Sequence, residues 1–541
     1  MNSASCDAIL PRLALLGALS LTACGSGVNY DLHLHPITPK NQSPFEGLDR
    51  IDLILEHADG TNTRKSLGAT SGSPNVSALE ALDATSIRLD GIQSDKVVST
   101  GRIGPLNLIK GAAEYNILVS SIDELAWLEA LPINLFAHNL VPLGEGQFLL
   151  IGGLSINAFV GTGNEGKAIY RLDLSDPQDP PSFVQITDMP TYAGSNGNLR
   201  ARHGATAALL TKGPQTGKIL VAGGTNKLLA SQNITETAFF LDPESLETTP
   251  LDSNKTMESG HYLANTVVDS NGNVVILGGW DTANKGRISV NGTFEFFDVS
   301  SGQFERGARD RSLRGGGAFG MAAPLGDSGV VHCGGGFFSS QEDTWKMSGD
   351  CTLITTSGQV SDEIPSLPEV ASHGTMIALS SSELLLIGGL ESSSINDNSA
   401  VLDASNRVFH YDKLESTWTE LDGLQLARAN TTAEILPDGR VLILGGRSRA
   451  NLYDYGTGSE EDVLACAEIY DPFVALNQPR ASASTLLDGC SSSQTTSTLP
   501  TRAHSIVTAM DPEYGILTVG GLSTEGTQDG VSLWRWAPTA D

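Results

Sequence analysis

Residues 202–224 read RHGATAALLTKGPQTGKILVAGG. A first strand opens at Arg202, the chain turns between Lys212-Gly213 and Gly217-Lys218, and Ile219-Leu220-Val221-Ala222 runs straight into Gly223-Gly224. Glycines at such a turn reach positive φ at little cost, which a tight hairpin requires. Four apolar residues in a row, without alternation, mark a strand covered on both faces. The plan returns from Arg428 to Gly446, with Asp438-Gly439 at the turn and Val441-Leu442-Ile443-Leu444 before the glycines, and Asn271-Gly272 turns a third copy. Seven glycine pairs close such hairpins: Gly152-Gly153, Gly223-Gly224, Gly278-Gly279, Gly334-Gly335, Gly388-Gly389, Gly445-Gly446 and Gly520-Gly521. Their first glycines are 71, 55, 56, 54, 57 and 75 residues apart. A period of that length, carried by strands alone, predicts an all-β fold: a seven-bladed β-propeller over residues 123–541.

A third strand follows each pair after a variable loop. Val408-Phe409-His410-Tyr411-Asp412 has Trp418 seven residues beyond Tyr411, Ala467-Glu468-Ile469-Tyr470-Asp471-Pro472 has the same form, and so does Phe294-Glu295-Phe296-Phe297-Asp298 ahead of Phe304. Apolar strand, glycine pair and spaced tyrosine and tryptophan together resemble the kelch repeat, and bacterial kelch lipoproteins are the nearest likeness. His138, His203, His261, His373 and His504 stand 14 to 20 residues before their glycines and read as one equivalent site per repeat. Kelch repeats commonly carry a structural histidine there, so the resemblance implies imidazoles satisfied by neighbouring strands rather than a metal cluster. A closed ring must also hide its edges. The chain ends in Ser532-Leu533-Trp534-Arg535-Trp536, a third strand with no fourth after it, and Leu125-Ala126-Trp127-Leu128-Glu129 looks like a fourth strand without its blade. Their pairing is expected to complete the seventh blade.

Residues 1–23 read as a lipoprotein signal peptide. The apolar run from Leu13 to Ala23 is too short to span a membrane as a stable helix, and it ends in Leu21-Thr22-Ala23-Cys24-Gly25. This resembles a bacterial lipobox, which implies lipidation of Cys24 and an anchor worth about 0.8 kcal/mol per buried CH₂. Gly25 in place of an aspartate resembles lipoproteins sorted to the outer membrane, facing either the periplasm or the exterior. Residues 24–44 are polar and proline-containing and predict a tether. Residues 45–122 alternate through Ile51-Asp52-Leu53-Ile54-Leu55, Ser86-Ile87-Arg88-Leu89 and Tyr115-Asn116-Ile117-Leu118-Val119, predicting a small antiparallel β-sandwich. Cys333, Cys351, Cys466 and Cys490 suit an oxidising compartment. Four cysteines allow three pairings, and sequence neighbours are the expected partners: Cys333 with Cys351, and Cys466 with Cys490.

With 33 basic against 62 acidic residues the formal net charge is −29, a surface that repels nucleic-acid phosphates and keeps the chain soluble. A monomer is expected. Function in such folds sits on the loops after the glycine pairs and between blades, and in kelch propellers that face often binds peptides or proteins. Asn226, Trp280, Asp281, Phe337, Phe338, Arg447 and Arg449 fall there, with Tyr453 and Tyr455 in the longest insertion. Aromatics beside paired charges suit contact with a protein or a glycan. Glu460, Glu461 and Asp462 in that insertion read either as a solvated loop or as oxygen ligands for Ca²⁺, without a recognised calcium-loop spacing; no other cofactor or metal is expected. No nucleophile elbow, metalloprotease helix or phosphate loop is present, and no catalytic residue is assigned.

Three functions compete. The first is a membrane-anchored interaction module of the cell envelope. The second is a carbohydrate-active enzyme, since kelch propellers include galactose-oxidase-like copper enzymes and sialic-acid epimerases. The third is a structural scaffold. The copper enzyme needs a cysteine free to join a tyrosine, so disulfides that use all four cysteines of the folded body leave none for it.

Overall fold

The computed structural model describes residues 19–22, 29–69, 84–106, 113–132, 135–154, 167–190, 192–193, 199–200, 202–225, 234–282, 288–307, 310–339, 344–391, 401–451, 462–478, 482–487, 490, 498–500, 505–523 and 526–538. These residues are all-β, with one short α-helix at Pro472–Asn477. Among them, no helix is long and apolar enough to cross a membrane.

Seven antiparallel sheets of four strands each are formed among the described residues. They open with Phe136–Gly144, Thr206–Leu209, Asn265–Val268, Met321–Pro324, Thr375–Ala378, Thr432–Ile435 and Val507–Asp511, in that order. The outermost strand of the seventh sheet comes from far upstream. Val531–Trp534 pairs antiparallel with Leu125–Trp127, Ser532 opposite Trp127 and Trp534 opposite Leu125. The second strands Ile219–Ala222, Val274–Leu277 and Val441–Leu444 are buried throughout, as their unbroken apolar runs predict.

Neighbouring sheets cover one another. Leu220 and Phe240 of the second pack with Ile276 and Phe297 of the third. Leu442 and Ile469 of the sixth pack with Ile516 and Trp534 of the seventh, while Leu517 and Leu533 of the seventh pack with Phe148 and Leu150 of the first. Each fully buried Leu or Phe contributes about 1.5–3 kcal/mol. The first strand of every sheet lies beside that of the next, and that of the seventh beside that of the first.

The glycine pairs make the joints between sheets. A Cβ on Gly223, at φ +70°, would lie 2.5 Å from the carbonyl oxygen of His261 in the next sheet, and Gly278, Gly334 and Gly388 meet equivalent carbonyls at closer range. In these four pairs the second glycine gives its N–H to that same oxygen: Gly224 to His261 at 2.8 Å, Gly279 to Gly317 at 2.7 Å, Gly335 to Ala371 at 2.8 Å and Gly389 to Arg428 at 2.7 Å. The pair therefore supplies both clearance and a donor. Gly521 reaches Leu135 in the same way, from the seventh sheet to the approach of the first.

A left-handed residue stands at or just before the start of every first strand. Ala137, Gly204, Leu263, Phe319, His373, Asn430 and Ser505 have φ of 55°, 57°, 53°, 54°, 58°, 53° and 53°. This conformation costs a non-glycine residue about 1–2 kcal/mol, and hydrogen bonding to the adjacent sheet offsets it. The N–H of Gly204 donates to Ala137, Leu263 to Gly204, His373 to Phe319, Asn430 to His373 and Ser505 to Asn430, at 2.7 to 3.1 Å. Two residues further on, polar side chains stitch the same joints. Asn139 donates to the Ala205 carbonyl and Asn265 to Gly320, both at 2.7 Å, and Thr375 to Thr431 and Thr432 to Ile506, both at 2.6 Å.

These left-handed residues correct the expectation of one equivalent histidine site. His203 precedes its left-handed residue by one and His261 by two, His373 is itself left-handed, and His138 follows by one. First strands and turns differ in length, so counting back from the glycines loses the register. His203 and His261 do bond backbone carbonyls, of Gly153 at 2.7 Å and Gly278 at 2.8 Å. His373 instead stacks on Phe319, with ring centroids 3.9 Å apart. His504 lies outside the described residues.

The N-terminal region forms two sheets over one core. Arg50–His57, Asn62–Gly68, Ala84–Gln93, Lys96–Ile103 and Ser120–Ser121 make the antiparallel one. Leu19–Thr22, Asn29–Ile37 and Ala113–Leu118 make the other, and Leu34, Leu53, Leu89 and Ile117 meet between them. Two expectations change. Asn29–Ile37 lies in the stretch 24–44 expected as a tether, yet it pairs with Ala113–Leu118 and buries Leu34; the alternation in Asp31-Leu32-His33-Leu34-His35 is the strand signal there. That pairing is parallel, so the region is not a purely antiparallel sandwich. Leu19–Thr22 pairs with Asn29–Leu32 although it lies within residues 1–23, and Cys24 lies outside the described residues.

This region docks on the seventh and first sheets. Arg535 donates to the carbonyls of Thr100 at 2.6 Å and Leu118 at 2.8 Å, Tyr514 donates to Gly104 at 2.9 Å, and Arg102 pairs with Glu513. Two disulfides join Cys333 to Cys351 across adjacent strands of the fourth sheet and Cys466 to Cys490 within the sixth repeat, as expected from sequence. Closing loops of 18 and 24 residues contributes about 3 kcal/mol each in the chain-entropy view.

Candidate functional site

The residue directly after a glycine pair is still inside the fold. Thr225, Trp280, Gly336, Leu390 and Arg447 each form a β-bridge back to the residue before a left-handed one: His203, Tyr262, Ala318, Ser372 and Ala429. Trp280 and Arg447 are accordingly buried, which corrects their assignment to an exposed ligand face. In the fourth sheet's hairpin, exposure begins one residue further along.

It begins at Phe337 and Phe338, 38% and 44% exposed, on the hairpin of Gly336–Ser339 with Thr344–Met347. From there aromatic rings continue inward. Phe338 meets Trp345 edge-on at 5.6 Å, Trp345 meets Trp280 at 6.0 Å, and Trp280 meets Phe319 at 5.8 Å. Phe319 stacks on His373. Edge-on pairs of this kind contribute about 0.5–1.5 kcal/mol beyond their burial.

Phe319 and His373 also border a cavity of about 400 Å³ between the first strands of the third to seventh sheets. Asn265, Thr375, Thr432 and Glu434 line it with hydrogen-bonding groups. Burial, with the Arg447 charge nearby, pushes His373 down to about 3, so its imidazole is neutral at pH 7. Burial holds the Glu434 carboxyl above its usual range, against the Thr508 hydroxyl, which donates to it at 2.6 Å and favours its ionised form. The arrangement offers an aromatic edge beside a polar recess.

Of the other predicted face residues, Arg449 is about half exposed and pairs with Asp403 at 3.0 Å. Asp281 is half-buried at the base of the hairpin that Trp280 opens. Asn226, Tyr453 and Tyr455 lie outside the described residues, as do Glu460 and Glu461 of the acidic group weighed for Ca²⁺. Sequence reasoning missed Phe319 and Glu434. The left-handed position marks the first, and the polar side chains that lead each first strand mark the neighbourhood of the second.

No protein-family profile matches the chain, and no curated protein sequence matches it. Among solved structures it is similar to the one titled "Structure of YjhT", at 14% identity over 63% of this chain and 96% of that chain, with a TM-score of 0.41. That likeness is too distant to carry an argument.

Proposed function

We propose that the seven sheets are the blades of a closed kelch-type β-propeller, and that the chain is a lipid-anchored interaction module of a bacterial cell envelope, binding protein or glycan at its aromatic edge. The return of inter-sheet packing from the seventh sheet to the first, and the pairing of Val531–Trp534 with Leu125–Trp127, support the ring. The two disulfides and the acidic balance support an oxidising compartment and a ligand other than nucleic acid. Lipidation at Cys24 and an outer-membrane address complete this reading.

One observation carries the binding reading: Phe338, exposed beside Phe337, ends a continuous series of rings that reaches the cavity. Aromatic faces stack on sugar C–H groups and on apolar peptide side chains, and they dominate binding energy where they cluster. A glycan array and a pull-down from native envelope, each run with the Phe337→Ala/Phe338→Ala double variant beside the native chain, test it. Loss of at least about tenfold in affinity, roughly 1.4 kcal/mol, is expected. Undiminished capture by the variant sinks the reading.

A sugar-active enzyme is the second reading, favoured by Glu434, whose raised carboxyl faces the cavity. Cys333, Cys351, Cys466 and Cys490 are all in disulfides, so none of the four is free for a tyrosyl thioether. Glu434→Gln abolishing turnover of a bound sugar would favour this reading over simple binding.

A further inference from the structure

A second recess, of about 720 Å³, lies between the N-terminal region and the hairpin turns of the sixth and seventh sheets. Its two walls differ. The N-terminal region contributes Glu56, Arg88, Thr100 and Arg102; the sheets contribute Leu436, Pro437, Met510, Pro512 and Trp536. Glu56 is already engaged, by Arg88 at 2.9 Å and Arg102 at 2.8 Å, and Arg102 also holds Glu513. Its size falls in the range of small-molecule sites, about 300–1,000 Å³.

Arg535, part of the same lining, is unlike these. It is 3% exposed and bonded only to carbonyls: Thr100 at 2.6 Å, Leu118 at 2.8 Å and Tyr514 at 3.2 Å. Its Nη2 has no partner, and no carboxylate pairs with the guanidinium among the described residues. A buried charge without a counter-ion is costly by several kcal/mol. Burial pushes this guanidinium down to about 10, so it remains charged at pH 7. The chain carries 62 acidic residues against 33 basic ones, yet none of the described acids pairs with Arg535. Of the three arginines in the lining, Arg88 pairs with Glu56 and Asp90 and Arg102 with Glu56 and Glu513, which leaves Arg535 as the one without a carboxylate among the described residues.

We propose that this cleft binds a small amphipathic carboxylate, its anionic end compensating Arg535 and its apolar body lying against Trp536, Pro437 and Met510. Isothermal titration of the full chain with 2-naphthoate, and separately with its neutral counterpart 2-naphthylmethanol, tests the charge requirement. The acid is expected to bind saturably at one site, and the alcohol at least tenfold more weakly. Trp536→Ala removes the apolar wall and is expected to weaken naphthoate at least tenfold. Pro437→Glu, at an exposed position on the rim, leaves the core untouched and places a repelling charge at the entrance; it should weaken the acid more than the alcohol. Phe338→Ala, on the aromatic edge, should change neither. Equal affinity for acid and alcohol, absence of saturable binding at millimolar probe, or a response to Phe338→Ala instead of Trp536→Ala and Pro437→Glu would overturn the proposal.

Discussion

The second and sixth sheets meet one backbone demand with two different chemistries. Arg202 and Arg428 each stand two residues before a left-handed residue, and both are buried. Arg202 donates through Nη1 to the carbonyls of Gly223 at 3.0 Å and Thr237 at 2.9 Å. Arg428 donates through Nη1 to Gly445 at 2.6 Å and Cys466 at 2.9 Å. Opposite the residue two before the first glycine, the second sheet carries Phe239 and the sixth carries Glu468. Arg202 therefore lies over an aromatic ring, 5.3 Å from its centroid, and Arg428 meets a fully buried carboxylate at 3.1 Å. In the third sheet Glu295 takes the place of Glu468, and Arg311 from a later loop supplies the cation at 2.8 Å. What recurs is the need for a donor at the end of the second strand. How the donor's charge is compensated is left to each sheet.

Removing the carboxylate is the harshest way to break this comparison. Glu468→Ala leaves the Arg428 charge buried and unpaired and strips an acceptor from the Gln425 N–H and the Ser484 hydroxyl. A loss of about 3–5 kcal/mol is expected in urea denaturation. Glu468→Phe carries the second sheet's solution into the sixth and should recover about 1–2 kcal/mol of that loss through a desolvated cation–π contact. If it recovers nothing, the two devices are not interchangeable. In the second sheet, Phe239→Leu keeps most of the apolar volume but removes the ring beneath Arg202. Its expected cost is about 1–2 kcal/mol by the same assay, and a cost equal to that of Glu468→Ala would show that burial, not the ring, sets it.

The second and sixth repeats also show what was legible in the amino-acid order. Strand Ile219–Ala222, its glycine pair and the turn at Asp438-Gly439 could be read because apolar run and turn chemistry are local. The pairing of Leu125–Trp127 with Val531–Trp534 was legible because each end leaves one strand without a partner. The partners of Arg202 and Arg428 were not, since they depend on which residue stands opposite across two strands. His332 shows the same limit: it is buried in the fourth sheet, neither ring nitrogen has a partner among the described residues, and its ring occupies the space a side chain on Gly320 would need. At the candidate site, Phe337 and Phe338 were found by their place after a glycine pair. Trp280 and Arg447 misled for the same reason, because the bridge that each forms directly after its pair extends the buried zone by one residue.

An effect seen only as a function of pH separates the fifth joint from the sixth. His373 and Asn430 hold the same left-handed position, at φ of 58° and 53°, but only the histidine titrates. Burial and the Arg447 charge push His373 down to about 3 in the folded chain, against about 6.5 when unfolded. Below 6.5 the unfolded chain takes up a proton that the folded one refuses, so stability falls as pH falls toward 3. Between pH 7 and pH 5 this single group removes about 2 kcal/mol. His138, His261 and His332, each held near 4 chiefly by burial, act in the same direction. Glu295 and Glu434, raised by burial, act in the opposite one, contributing stability that is lost as pH rises through their range. His373→Asn borrows the sixth joint's residue, which accepts the left-handed conformation readily, and gives up the stack on Phe319, worth about 0.5–1.5 kcal/mol. At pH 7 the variant should therefore be slightly less stable. Urea denaturation at pH 7 and pH 5 should show its acid loss smaller than that of the native chain by about 2 kcal/mol, because the other titrating groups are common to both and cancel. An undiminished acid loss would mean that His373 is protonated in the folded chain, and the fifth and sixth joints would then differ in charge as well as in shape.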